Sequence, residues 1–232
     1  MTSGETLSRA SGSGPAAGVT AVVVVVHGGQ SVSTEPTSAT QLAVLRMIPV
    51  VQAVRHTLRG SGALVCRPRL LVRGWNGEQA SPVPDLSRIL DHIGAEFGPV
   101  PIVLVGHSMG ARAAFRVAGH RAVSAVAGLA PWLPPGEPVA QLAGRRVLLA
   151  HGSADNITRP DDTWAYAERV RPVAQAAVLE IRGGDHPMIR RAVLWHDIAA
   201  EFTRSALGLP PRETEVAAAV SRTSANAGRA VL

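Results

Sequence analysis

Ser108 lies in the stretch Gly106-His107-Ser108-Met109-Gly110, between an apolar run that ends at Val105 and an Ala-rich, helix-like segment. A G-x-S-x-G pattern joining strand to helix suits a nucleophile. The glycines allow a sharp turn that points the hydroxyl outward, and the following helix directs its positive dipole end at that turn. Serine attacks a carbonyl only when a base removes its proton and an acid orients the base. Both residue types follow downstream: Asp155 in "RVLLAHGSADNIT" and His186 in "VLEIRGGDHPMIRR", each just beyond an apolar run. Serine, acid and histidine in this chain order fit acyl transfer, and the strand–helix context favours this over a merely structural turn serine.

Other candidates have simpler roles. Asp185 adjoins His186, where neighbouring side chains seldom have the geometry to orient the ring, so a loop or capping role is favoured. Asp161 and Asp162 follow Pro160 at an expected helix start, where carboxylates complement the dipole. His27, His107 and His151 each end an apolar run, but no pair shows the H-x-H or HExxH spacing of a metal site, so no metal is expected. Trp75 and Trp132 follow strand ends and either contact substrate or fill the rim of the pocket. Structural roles are expected for His56, His120 and His196, and Cys66 reads as a small buried apolar residue.

The elements that must position these residues alternate along the chain. Apolar runs at 20–26, 63–72, 102–105, 123–128, 146–150 and 177–181 are separated by helix-like segments at about 41–59, 85–97, 109–119, 160–171 and 187–207. Continuous Val, Leu and Ile runs without strict alternation predict strands covered on both faces. The fold class is therefore α/β: a doubly wound, mostly parallel sheet of about six strands with helices on both faces. Pro49 is expected to kink or split the first helix. In such a sheet ligands sit beyond the carboxyl ends of the strands, where all the candidates above fall.

With 232 residues, 46% of them apolar, the chain has enough material for one α/β domain. Residues 1–18 and 209–232, rich in small polar residues and Ala, are expected to be flexible flanks of a domain spanning 19–208. The run at 19–26 lacks a basic leader and ends in His-Gly-Gly rather than a cleavage site. It is also far too short to span a bilayer, so it reads as a buried strand. The net charge is +6, yet all 23 basic residues are Arg and none run beyond two in a row. That scatter disfavours a nucleic-acid partner. The lone Cys66 rules out an internal disulfide and suits a reducing, cytoplasmic compartment.

From Thr20 to about Leu207 the sequence resembles the α/β-hydrolase superfamily. The resemblance is carried by HGG after the first strand, RGWNG after the second, GHSMG, HGSADNIT and the GGDHPM loop. It implies a catalytic triad of Ser108, Asp155 and His186, with the backbone amides of Met109 and Gly29 as the oxyanion hole; Gln30 is the alternative to Gly29. It further implies a serine esterase or, alternatively, a thioesterase acting through an acyl-enzyme. No cofactor is then required, and the partners are a small acyl substrate or an acyl carrier protein. A serine rather than aspartate nucleophile argues against the dehalogenase and epoxide hydrolase branches. A small-molecule receptor or other non-catalytic binding protein on the same fold is the competing class. Only a polar stretch precedes Thr20, so a trimmed sheet is expected. Between the fourth and fifth strands the connection is short and Pro-rich, which leaves room for a small lid or none.

Overall fold

The computed structural model describes residues 18–225 and 228–232. Six strands arise where the apolar runs are: β1 (Ala21–Val26), β2 (Ala63–Cys66), β3 (Ile102–His107), β4 (Val123–Leu129), β5 (Arg146–Gly152) and β6 (Gln175–Ile181). A seventh, β7 (Ala230–Val231), pairs with β6, giving one sheet in the order β2-β1-β3-β4-β5-β6-β7 with every pairing parallel. The helices are α1 (Leu42–Leu45), α2 (Met47–Thr57), α3 (Pro82–Phe97), α4 (Met109–Val117), α5 (Pro160–Val170), α6 (Ala192–Ala206) and α7 (Glu215–Ala225).

Strand β1 shows why the sheet is covered twice. Its side chains alternate between faces, so Val22, Val24 and Val26 join one core with residues of α3, α4 and α5. Val23 and Val25 join the other, with α2, α6 and α7. A strand apolar at every position is thus consumed on both sides, and all six of its residues are buried.

Several elements differ in extent from the sequence reading, each for a local reason. β2 stops at Cys66, before Pro68, which has no N–H for the ladder. Beyond it the backbone finds side-chain acceptors instead: Leu70 N–H donates to His27 Nε2 (3.1 Å) and Leu71 N–H to Asp85 Oδ2 (2.8 Å). The first helical segment divides at Arg46, and Pro49 falls in the opening turn of α2, where its missing N–H costs nothing. Cys66 is buried, and burial pushes its thiol up to about 12.

The expectation of a flexible tail over 209–232 is corrected. Val216, Ala219 and Val220, spaced i, i+3 and i+4 in α7, pack into the core shared with α6, and Leu232 N–H donates to Glu180 O (2.9 Å) beside β7. The buried face of α7 consists of two Val and two Ala, Val216, Ala217, Ala219 and Val220, so its apolar stripe is short and its side chains are small. The expected flexible segment 1–18 lies, apart from Gly18, outside the described residues. Between β4 and β5, residues 130–145 contain only a three-residue 3-10 helix, Ala140–Leu142. No described helix is long and apolar enough to cross a membrane.

Candidate active site

The chain order reverses across β1: β2 lies on one side and β3 on the other. The crevice beyond the carboxyl ends of β1 and β3 is therefore the topological switch point where ligands bind in such sheets. Ser108 is the first residue past β3. Its φ of 53° and ψ of −120° are strained for a residue with a Cβ, and its neighbours account for the strain. A Cβ on Gly106 would stand 2.5 Å from the backbone of Ala111, and one on Gly110 would run into the carbonyl of His27. Both glycines are thus required by close packing of the elbow against α4 and β1. Ser108 N–H donates to Leu129 O (3.2 Å), and its own carbonyl accepts from Arg112 N–H and Trp132 N–H, both at 3.2 Å.

His186 and Asp155 arrive from the loops after β6 and β5. His186 Nε2 lies 3.0 Å from Ser108 Oγ, and its Nδ1 lies 2.8 Å from Asp155 Oδ2. Gly152 and Gly184 let the two loops meet, since a Cβ on Gly152 would overlap the Gly184 carbonyl. The Asp155 side chain is buried, which by itself would raise its pKa. Hydrogen bonds from His151 and His186 and from the amides of Thr158 and Ile157 outweigh burial and hold the carboxyl well below the usual carboxylate range. Thr158 Oγ1 donates to the same Oδ2 (2.9 Å) and also lies 3.1 Å from His186 Nδ1.

The histidines at the strand ends clamp the loops. His27, after β1, accepts from Leu70 N–H through Nε2, so its Nδ1–H donates to Gly28 O (2.7 Å); burial lowers its pKa. His107, at the end of β3, donates from Nε2 to the backbone carbonyl of His186 (2.9 Å). Burial, then the nearby His186, push its pKa down to about 3. Its Nδ1 is buried without a partner and is the unprotonated nitrogen. His151, at the end of β5, places Nε2 3.0 Å from Asp155 Oδ2 and Nδ1 2.6 Å from Thr163 Oγ1. That arrangement fits Nε2–H donating to the carboxylate and the threonine hydroxyl donating to Nδ1. Among the described residues no three His, Cys, Asp or Glu side chains converge as metal ligands would.

The Gly29 loop borders Ser108. A Cβ on Gly29 would collide with Arg73 O and the end of the Met109 side chain, so only glycine fits there. Gln30 N–H already donates to Arg73 O (2.8 Å), whereas the amides of Gly29 and Met109 have no acceptor among the described residues. Asp185 is turned into its own loop, accepting from the amides of Ile189 (2.9 Å) and Arg190 (3.0 Å) through Oδ1. Asp161 and Asp162 occupy the first turn of α5.

Trp75 and Trp132 meet edge to face, with centroids 6.1 Å apart, and both line an open cavity of about 620 Å³ with Ser31, Glu78, Arg112 and Arg116 among its walls. Neither Ser108 nor His186 lines it, although Trp132 and Arg112 bond directly to the Ser108 carbonyl. Sequence reasoning singled out His151 without assigning it to the acid, and missed Thr158 and Thr163 around the acid and Arg112 and Glu137 beside the tryptophans. For His151 and Thr158, spacings of four and three residues from Asp155 were the available signal.

A family model described as "Alpha/beta hydrolase family" matches residues 23–225, and the chain belongs to that family. No curated protein matches it. Among solved structures it is similar to Est1E from Butyrivibrio proteoclasticus, at 15% identity and TM-score 0.60, covering 82% of this chain and 90% of that one. A Xanthomonas campestris protein described as an α/β serine hydrolase without lid shares 21% identity at TM-score 0.58, over 85% and 88% of the two chains. The esterase domain of a Rhodothermus marinus protein shares 17% identity at TM-score 0.57, over 83% and 88%.

Proposed function

We propose that the protein is a cytoplasmic serine hydrolase that cleaves a carboxylic ester through an acyl-enzyme. The observation that carries this reading is the continuous hydrogen-bonded chain from Ser108 Oγ through His186 to a buried, ionised Asp155. His186 Nε2 takes the Ser108 proton as Oγ bonds to the carbonyl carbon, while Nδ1–H donates to Asp155 and the imidazolium is stabilised. The N–H groups of Met109 and Gly29 receive the oxyanion; the Gln30 amide is already committed to Arg73, which supports Gly29 as the second donor. His186 then protonates the leaving oxygen, the C–O bond breaks, and the acyl group remains on Ser108. Water attacks next with His186 as base, which releases the acid and restores Ser108.

A fluorophosphonate probe, assayed beside a panel of activated esters and acyl thioesters of graded chain length, tests the reading. Stoichiometric labelling of Ser108 and turnover of esters are expected. Efficient turnover of thioesters alone would move the protein to the thioesterase class with an acyl carrier partner. Absence of both labelling and turnover would favour a binding protein on this fold.

A further inference from the structure

The cavity beside Ser108 contains cationic groups that the triad does not use. Arg112 and Arg116 stand one turn apart on α4, the helix that begins at the nucleophile. Both reach the same carboxylate: Arg112 Nε donates to Glu137 Oε1 (2.7 Å), Arg116 Nε to Oε2 (2.6 Å), and Arg116 Nη2 to Oε1 (3.0 Å). Arg112 Nη2 also pairs with Oε1. The Glu137 side chain is only 4% exposed, so this anchor is fixed from below. The Arg112 guanidinium carbon lies 3.8 Å from the ring centre of Trp75 and 4.5 Å from that of Trp132, and so is held by both indoles.

Each arginine thus spends Nε and Nη2 on Glu137, and Nη1 of each has no partner among the described residues. Arg112, largely buried, and Arg116, more exposed, share one carboxylate, and both line the cavity. Glu137 holds the pair from behind and does not itself line the cavity; Glu78, the one carboxylate among the lining residues, is exposed. The walls are built to hold a shape: Asn76 accepts from Ser33 N–H (2.8 Å) and donates to Ser33 O (3.0 Å) and Ser81 Oγ (3.1 Å), which ties the loops after β1 and β2 together. A preorganised guanidinium pair with spare N–H donors beside aromatic walls is suited to a carboxylate.

We propose that this cavity is a subsite for a carboxylate carried by the substrate, so that the ester cleaved is a half-ester of a dicarboxylic acid or an ester of a hydroxy acid. The inference rests on the serine hydrolase reading for its kinetic consequence but not for binding itself. Two arms of one experiment separate them. In the first, kcat/KM is measured for matched ester pairs of graded length, one member ending in a carboxylate and the other in a methyl group, with the charge on the acyl side in one series and the alcohol side in the other. A preference for the charged member of roughly 10- to 100-fold, lying in KM, is expected in one series, on the scale of charged hydrogen bonds. Arg116→Gln should shrink that ratio and Glu78→Gln should widen it.

In the second arm the Ser108→Ala protein is titrated with glutarate and, separately, with 1,5-pentanediol, with tryptophan fluorescence as the signal. Saturable quenching by glutarate alone, weakened in the Ser108→Ala/Arg116→Gln double variant, is the expected result. Neutral esters cleaved as well as charged ones, with no saturable glutarate signal, would overturn the subsite and leave the hydrolase reading standing. If no ester is cleaved and Ser108 takes no probe, the hydrolase reading fails, and the glutarate titration alone decides the subsite.

Discussion

The two flanks of Ser108 are built on opposite principles. On the β5–β6 side, Asp155 accepts from two imidazoles, a hydroxyl and two amides, and the group is buried with its charge fully compensated. On the β1–β2 side, Arg112 and Arg116 converge on one carboxylate and keep donors to spare, facing an open cavity. A closed network holds one geometry and one protonation state, which a proton relay needs. A network with unused donors and room in front of it can accept something else. The proposed chemistry falls to one flank and the proposed recognition to the other.

The largest expected effect comes from removing the residue that both flanks serve. Ser108→Ala should abolish fluorophosphonate labelling and lower turnover by about a millionfold. Label on another serine, with Ser108→Ala still active, would dissolve the comparison altogether. Next, Asp155→Asn should leave the fold intact but lower kcat by about 10⁴, through loss of charge and the wrong imidazole tautomer. Asp185→Asn should cost far less, because the Asp185 carboxylate accepts from amides of its own loop. Turnover and melting temperature of both variants decide which carboxylate acts.

A smaller effect sharpens the account of the closed flank. His151→Leu removes one charge-assisted donor to Asp155 and should reduce kcat by roughly 10- to 100-fold. KM for a neutral ester should hardly move, since the hydrogen-bond and ring partners found for the His151 side chain, Asp155, Thr158, Thr163 and Trp164, all lie around the acid. A change confined to KM would place His151 in recognition instead.

Acid should destabilise the fold. His107 is neutral in the folded protein, with a pKa near 3, but takes up a proton near its ordinary value of 6.5 once unfolded. Between those values the unfolded state binds more protons, so stability is complete above about 6.5 and is lost as pH falls toward 3. From pH 7 to 5 this single group contributes a loss of about 2 kcal/mol, and His27, also lowered, acts in the same direction. Urea midpoints at the two pH values measure it. An equally stable protein at both would mean that the His107 ring is not held neutral.

The smallest expected effect is a null one. With only a three-residue 3-10 helix between β4 and β5, activity on soluble short-chain esters should saturate normally, with no jump at an oil–water interface. A strong interfacial activation would show that the segment 32–40 closes over the site.

Much of the architecture was legible in the linear chain because it follows from local rules. Uninterrupted apolar runs must be buried on both faces, and the strand–turn–helix context of Gly106 to Gly110 places a serine on a tight turn at a sheet end. The tail escaped because the buried face of α7 is a short set of small residues, Val216, Ala217, Ala219 and Val220, whose contribution depends on what they pack against, and β7 is two residues long. The strand-end histidines could be found by sequence but not assigned, since nothing local says whether an imidazole binds a metal, a substrate or a backbone amide.

By itself, then, the sequence determined the parallel α/β sheet and the order Ser108, Asp155, His186, because periodicity and turn chemistry act over a few residues. Only the tertiary structure decided that Gly29 rather than Gln30 has a free amide, that His151 completes the shell of Asp155, and that Arg112 stacks on Trp75 and Trp132 over Glu137. These depend on groups from 4 positions apart, as His151 and Asp155, to as far as Gln30 and Arg73, meeting in one place. Hydrogen-bond satisfaction is a property of the assembled neighbourhood, and no window along the chain contains it.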